Sequence, residues 1–153
     1  MSRSADKFAK WSRLSGQEHR ILLLALLLLP MIALGLRLSG LRRIRTLLAD
    51  RKALAQSEAE VEHALAKATS VARLVAAAAR HGPYKAKCLP VALTLAWLLQ
   101  RRGMSTNLRL GVRKAAARLE AHAWIEYRGV PLIDTAEVLE RFTAFEPVTA
   151  LHP

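Results

Sequence analysis

The chain has 153 residues, and its 24 lysines and arginines against 12 aspartates and glutamates give a formal net charge of +12. This length suits one domain whose core is large enough to be stable without disulfides or a structural metal, and the single cysteine excludes an intramolecular disulfide. A lone thiol persists most easily in a reducing compartment, so we expect a cytoplasmic protein. The basic charge predicts an acidic partner, but the 5% aromatic content and the lack of a zinc-finger or RNA-recognition signature argue against nucleic acid.

The N-terminal segment, residues 1–52, is basic and Leu-rich and is predicted to be helical. Residues 21–36 carry no charge, but one helix of that length is about 24 Å long, short of the ~30 Å hydrocarbon core, and Pro30 interrupts it. Arginines from Arg37 onward stand where a signal peptide would have small residues. Two interpretations stay open: a buried helical hairpin, which we favour, or an interfacial anchor that makes the protein peripheral at the inner face of the membrane.

A long amphipathic helix is predicted from Leu54 to Ala79, because apolar residues recur at spacings of 4 and 3 between Val61 and Val75. Gly82 and Pro83 are expected to end it.

The next helix is predicted from Cys88 to about Arg102, with Gly103 as its stop signal. Pro90 fits the first turn, where a proline forfeits no intrahelical hydrogen bond. The helix is apolar on most sides, so we expect it to be the central buried helix.

Beyond this helix the apolar period changes to two, which predicts strands. These cover residues 108–112, 121–127 and 130–134, and the last two form a hairpin. Helices first and strands after indicate an α+β fold with an antiparallel sheet. No P-loop, dinucleotide fingerprint, HExxH or CxxC pair occurs, so no cofactor and no metal are expected.

Cys88 is a candidate nucleophile because it stands at the start of a helix. The positive end of the helix dipole, together with Lys85 and Lys87, favours the thiolate. Backbone N–H groups at the same place could stabilise an oxyanion. The alternative is that Cys88 is a small core residue, since free cysteine is among the most buried residue types.

His122 and Asp134 are the candidates to complete a catalytic group, with the imidazole as base and the carboxylate as the group that orients it. A three-residue loop, 127–129, would place them directly opposite one another, whereas a two-residue loop, 128–129, would place Thr135 opposite the imidazole. The catalytic hypothesis therefore predicts the longer loop. Otherwise His122 is a satisfied strand histidine and Asp134 caps a helix over 135–142.

Three segments carry a family resemblance: KCLPVALTLAWLLQRRG at 87–103, LRLGVRK at 108–114 and AHAWIEYRGVPLID at 121–134. Together they resemble the transglutaminase-like cysteine proteases that remove leader peptides in lasso-peptide biosynthesis, the B or B2 proteins. The likeness begins near Leu54, and the N-terminal stretch is similar to the helical lead-in of the stand-alone B2 form. It implies a papain/transglutaminase-like core over 53–153, with the Cys-bearing helix buried against a small antiparallel sheet.

The resemblance implies that Cys88 is the nucleophile, His122 the general base and acid, and Asp134 the orienting residue. Trp124 and Glu126 belong to the same motif and share the strand face of His122, where they wall the site or contact substrate. The implied partners are a precursor peptide, a separate leader-recognition protein and an ATP-dependent asparagine-synthetase-like cyclase. Acyl transfer to an amine, or a non-catalytic basic scaffold subunit, are the alternative functions.

Overall fold

The computed structural model of the protein describes residues 15–47, 58–116 and 118–145, with side chains except in 41–47. Three helices come first, followed by a sheet and a short helix. In chain order the elements are α1 Gly16–Leu47, α2 Glu58–His81, α3 Cys88–Gln100, β1 Asn107–Ala115, β2 Arg118–Tyr127, β3 Val130–Pro131, α4 Val138–Arg141 and β4 Thr143–Ala144.

Helix α1 is continuous through Pro30 and kinks only at Gly40, whose φ is +67°. The predicted helical hairpin is therefore wrong. A capping box starts the helix: the Ser15 hydroxyl accepts the Glu18 backbone N–H, and the Glu18 carboxylate accepts that of Ser15. One face of α1 packs against α2 and α3, and this packing outweighs the roughly 3 kcal/mol cost of an interior proline.

Helices α2 and α3 form where the sequence predicts them. The predicted apolar stripe of α2 is buried at Ala68, Ala72 and Val75, although residues 54–57 lie outside the described part of the chain. Helix α3 ends before Gly103, which takes a left-handed φ of +75° and gives its N–H to the Gln100 carbonyl. The boundary proposed at 52/53 also falls outside the described residues and stays a prediction.

The described strands form one antiparallel sheet in the order β3-β2-β1-β4, which confirms the α+β class. Strand β2 starts three residues earlier than predicted. Strand β3 covers only Val130–Pro131, because residues 132–134 bend away from it. In place of a helix over 135–142, the chain forms the short α4 and then adds β4 at the far edge of the sheet.

The two faces of β2 have different neighbours. Ala123, Ile125 and Tyr127 belong to the hydrophobic cluster that includes the buried side of α3. Side chains alternate along a strand, so His122, Trp124 and the residues in phase with them lie on the opposite face. The helices thus support the sheet from one side, and the other side carries the candidate site.

The hairpin between β2 and β3 has a two-residue loop. Tyr127 pairs with Val130, and the loop residues Arg128 and Gly129 both take left-handed φ values, +51° and +81°. Two consecutive left-handed residues make a tight turn whose twist matches the flanking strands. The predicted three-residue loop, in which Glu126 would pair with Val130, is therefore wrong.

Candidate active site

We call the side of the sheet that faces away from the helices the site face. His122 and Asp134 form a hydrogen-bonded pair at its edge. The imidazole Nε2 lies 3.1 Å from the Asp134 Oδ1, and the two side chains are 24% and 28% exposed. A carboxylate can only accept here, so Nε2 donates and Nδ1 is left for another partner. This is the orientation in which a carboxylate holds an imidazole for proton transfer.

The pair forms by a different route from the predicted one. Leu132 gives its backbone N–H to the Ile125 carbonyl at 3.1 Å, so the two-residue-loop register persists one step beyond β3. The bend at 132–134 then brings Asp134, rather than Thr135, to His122. Since its carboxylate binds the imidazole and the N-cap of α4 is Glu137, Asp134 does not serve as a helix cap.

Aromatic rings enclose the imidazole. The Trp124 ring lies nearly parallel to it, at 18° and 6.1 Å between centroids, and the Phe142 ring lies 5.2 Å away. Gly111 in β1 pairs directly with His122 in β2, and because it has no side chain it leaves the space that these rings fill. Phe142 has no signal in the local sequence pattern, because only the pairing of β4 with β1 brings it here.

Trp124 is held by a buried carboxylate. Its indole Nε1 donates to Glu126 Oε1 at 2.9 Å, and Arg109 Nε lies 3.7 Å from the same oxygen. Trp124 and Glu126 are only 2% and 8% exposed, so these contacts make them a wall behind the imidazole. Contact with substrate stays a prediction for both. A role for Arg109 in the site was not predicted. Its alternation with the apolar residues of β1, which puts it on the same face as its partner Trp124, would have indicated one.

Cys88 stands at the first turn of α3, half-buried against the hydrophobic core. Its helix packs on β2. Lys87, at the N-cap, makes no side-chain capping bond, so the first N–H groups keep their hydrogen-bonding capacity. Within the described residues, however, the polar partner of His122 is Asp134, and no hydrogen bond joins the imidazole to the thiol.

A groove of about 280 Å³ lies between the first turn of α3 and the segment that leads into Asp134. Val91, three residues after Cys88, lines it together with Leu132 and Ile133. The cysteine end of α3 therefore faces the same edge of the sheet as the bend.

Among the residues that the structure describes, no three histidine, cysteine, aspartate or glutamate side chains gather as possible metal ligands.

Comparisons with known proteins give one result. Neither the curated proteins nor the solved structures yield a match. Residues 28–146, from the middle of α1 to just beyond β4, match the profile of the transglutaminase-like superfamily. This match covers the helix that begins with Cys88, the strand of His122 and the bend of Asp134, and it spans most of the chain. The chain therefore belongs to the transglutaminase-like superfamily.

Proposed function

We propose that the protein is a cysteine peptidase that removes the leader peptide from a ribosomally made precursor in lasso-peptide biosynthesis. The observation that carries the proposal is the hydrogen bond from His122 to Asp134, on the strand against which the Cys88 helix packs. Membership of the superfamily is compatible with cysteine peptidase or acyltransferase chemistry. The restriction to leader removal rests on the resemblance of the three sequence segments.

In the proposed first step, the Cys88 thiolate attacks the carbonyl carbon of the scissile amide and forms a C–S bond. The oxyanion accepts hydrogen bonds from N–H groups at the start of α3. The protonated imidazole of His122 then gives its Nδ1 proton to the leaving amine as the C–N bond breaks, which leaves a thioester. Nδ1 takes this role because Nε2 is bound to Asp134.

In the second step, water attacks the thioester carbonyl while His122 Nδ1 accepts a proton from it. The C–S bond breaks, the thiolate is restored, and the product leaves as a carboxylic acid. Asp134 keeps the imidazole oriented in both steps. The aromatic wall limits where the ring can move.

The first step requires the Cys88 sulfur to come within hydrogen-bond reach of the imidazole, and such contacts often tighten only when substrate is bound. Cys88 and His122 are each partly exposed. We propose that substrate binding brings the thiol at the start of α3 and the imidazole of β2 together.

The proposed partners are a precursor peptide, a separate leader-recognition protein and an ATP-dependent asparagine-synthetase-like cyclase that uses the freed amine. We propose a cytoplasmic location, where the thiol stays reduced. Nucleic acid has no part in this proposal.

The test is cleavage of a lasso precursor in the presence of its recognition protein, followed by mass spectrometry. Cys88→Ala and His122→Ala should each abolish leader removal. His63→Ala, an exposed histidine on α2, is the matched control and should retain it. Full cleavage by Cys88→Ala would contradict the proposal.

Acyl transfer is the second candidate, because the thioester is open to any nucleophile that reaches the His122 and Asp134 pair, whose side chains are each about one-quarter exposed. Product masses measured with and without a primary amine separate the two: a product heavier by the amine, in place of the free acid, indicates transfer.

A non-catalytic scaffold role is favoured by one observation, that Cys88 is not hydrogen-bonded to His122 in the structure. It predicts that the cyclase is captured stoichiometrically, and that Cys88→Ala changes neither this capture nor formation of the mature product.

A further inference from the structure

Helix α1 has two apolar faces, and only one of them is covered. Ile21, Ala25 and Leu29 are buried with α2 and α3 in the hydrophobic cluster. On the other side, five large apolar side chains recur at spacings of 4, 4, 3 and 4, and each is more than half exposed. We call this surface the outer stripe; it consists of Leu23, Leu27, Met31, Leu34 and Leu38.

A contiguous exposed apolar surface of this size marks an interaction site. The stripe runs over fifteen residue steps, which is about 22 Å along the helix. The α1 segment Gly16–Gly40 contains an 18-residue window with a mean hydropathy of 2.6 and is long and apolar enough to cross a membrane.

Charges lie where the outer stripe begins and ends. Arg20 is exposed and stands three residues before Leu23, so it continues the same stripe at the N-terminal end. At the other end the sequence has four arginines and no acidic residue over 37–45. An apolar helix face flanked by arginines is complementary to lipid tails and anionic headgroups.

Composition favours lipid over a protein partner. Protein interfaces concentrate their binding energy in tryptophan, tyrosine and arginine, and leucine is under-represented among those residues. The outer stripe has four leucines and one methionine and no aromatic residue.

The buried face of α1 decides between lying on the membrane and spanning it. A spanning helix would need lipid on all sides, and this would remove Ile21, Ala25 and Leu29 from their contacts with α2 and α3. Helix α2 also carries exposed Glu58, Glu60 and Glu62 in its first turns, which belong in water. A helix with one face in the core and the other apolar and exposed fits the plane of the interface.

We propose that α1 is an interfacial membrane anchor: the outer stripe inserts among the acyl chains of an anionic bilayer while its flanking arginines contact the headgroups. The site face of the sheet points away from the helices and stays in water. The proposal concerns where the protein sits and is independent of the chemistry at Cys88.

The test is flotation of the full chain with vesicles of phosphatidylcholine alone and of an equal mixture of phosphatidylcholine and phosphatidylglycerol. The chain should float with the anionic vesicles, and high salt should weaken this binding by screening the arginines. Leu27→Gln combined with Leu34→Gln should lower the partition coefficient on the order of ten-fold or more, because it replaces apolar area without adding charge.

The matched control is Leu119→Gln combined with Leu139→Gln, which changes two exposed leucines on the sheet and on α4. It should bind anionic vesicles like the unchanged chain. Far-UV circular dichroism confirms that both double variants are folded.

Three results would overturn the proposal. The first is no flotation, or equal flotation of the two double variants. The second is resistance to carbonate extraction, which indicates a spanning helix. The third is a chain dimer in solution that Leu27→Gln with Leu34→Gln converts to monomer, without vesicle binding, which assigns the outer stripe to a second copy of the chain.

Discussion

Gly111→Ala is the sharpest test of how the site face is packed. Gly111 lies in β1 opposite His122, and a Cβ added there would stand 2.9 Å from two carbons of the Trp124 ring and 3.1 Å from Phe142 Cβ. Carbon atoms in good contact are about 3.5–4.0 Å apart, so the new methyl group is about 0.6 Å too close to the indole. The ring has to move, and it stacks on the imidazole.

The magnitude follows from two opposing effects. Overpacking of this kind costs about 1–3 kcal/mol. Alanine in place of glycine in a strand regains roughly 0.5–1 kcal/mol, because the unfolded chain loses less freedom on folding. We therefore expect a net loss of about 1 kcal/mol in the free energy of unfolding, or a melting temperature lower by roughly 2–4 °C.

Urea unfolding followed by circular dichroism measures this loss. Gly16→Ala is the control, because Gly16 begins α1 with no atom within 4 Å of the added Cβ, and we expect unchanged or slightly higher stability. Trp124→Phe removes the ring atoms that clash, so a double-mutant cycle with Gly111→Ala should show a favourable coupling of about 1 kcal/mol. If Gly111→Ala is as stable as Gly16→Ala, or if the coupling is zero, the packing argument is refuted.

Other predictions concern single interactions. Asp134→Asn should lower kcat for leader removal on the order of 100-fold or more with little change in unfolding free energy, and an equal loss of both would contradict an orienting role. Glu126→Gln should cost about 1–3 kcal/mol in urea unfolding, because it weakens the charge-assisted hydrogen bond from Trp124 and leaves the Arg109 guanidinium without its anionic partner. The exposed Glu120→Gln should cost at most about 1 kcal/mol. Ser15→Ala should cost about 1 kcal/mol by removing a helix cap. The backbone N–H of Ser15, and after it the Ser15 hydroxyl, lower the pKa of Glu18 by hydrogen bonding to its carboxylate. The contribution of this carboxylate to stability is complete above the ordinary glutamate pKa and is lost as the pH falls through the lowered value, so pH-dependent unfolding of a Glu18→Gln variant should lack this loss.

The membrane proposal and the catalytic proposal can be true together. An anchored α1 would hold the helices against the bilayer, while His122 and its neighbours stay accessible on the opposite side of the sheet. Loss of vesicle binding in the outer-stripe variant should therefore leave leader removal in solution unchanged.

Local patterns were sufficient for much of the fold. The spacing of apolar residues predicts α2, the glycine after Arg102 predicts the end of α3, and the change to a period of two predicts β1 and β2. The same alternation places Trp124 and Glu126 on one face, and the bond between them shows this directly. Each of these features depends on residues that are close together in the chain.

Other features depend on contacts between distant residues. Pro30 does not break α1, because the packing of a whole helix face outweighs one missing hydrogen bond. Phe142 reaches the imidazole only through the pairing of β4 with β1, about thirty residues earlier in the chain. Periodicity contains no information about such pairings.

The sequence by itself determined which side chains could do chemistry here and which of them share a strand face, because composition and alternation are local properties. The tertiary structure alone decided how Asp134 meets His122. Two left-handed residues, Arg128 and Gly129, set a register that by itself would place Thr135 opposite His122. A bend after the third strand instead brings Asp134 to the imidazole. Where a chain leaves a sheet is settled by the packing around it, and that packing exists only once the helices and the sheet have come together.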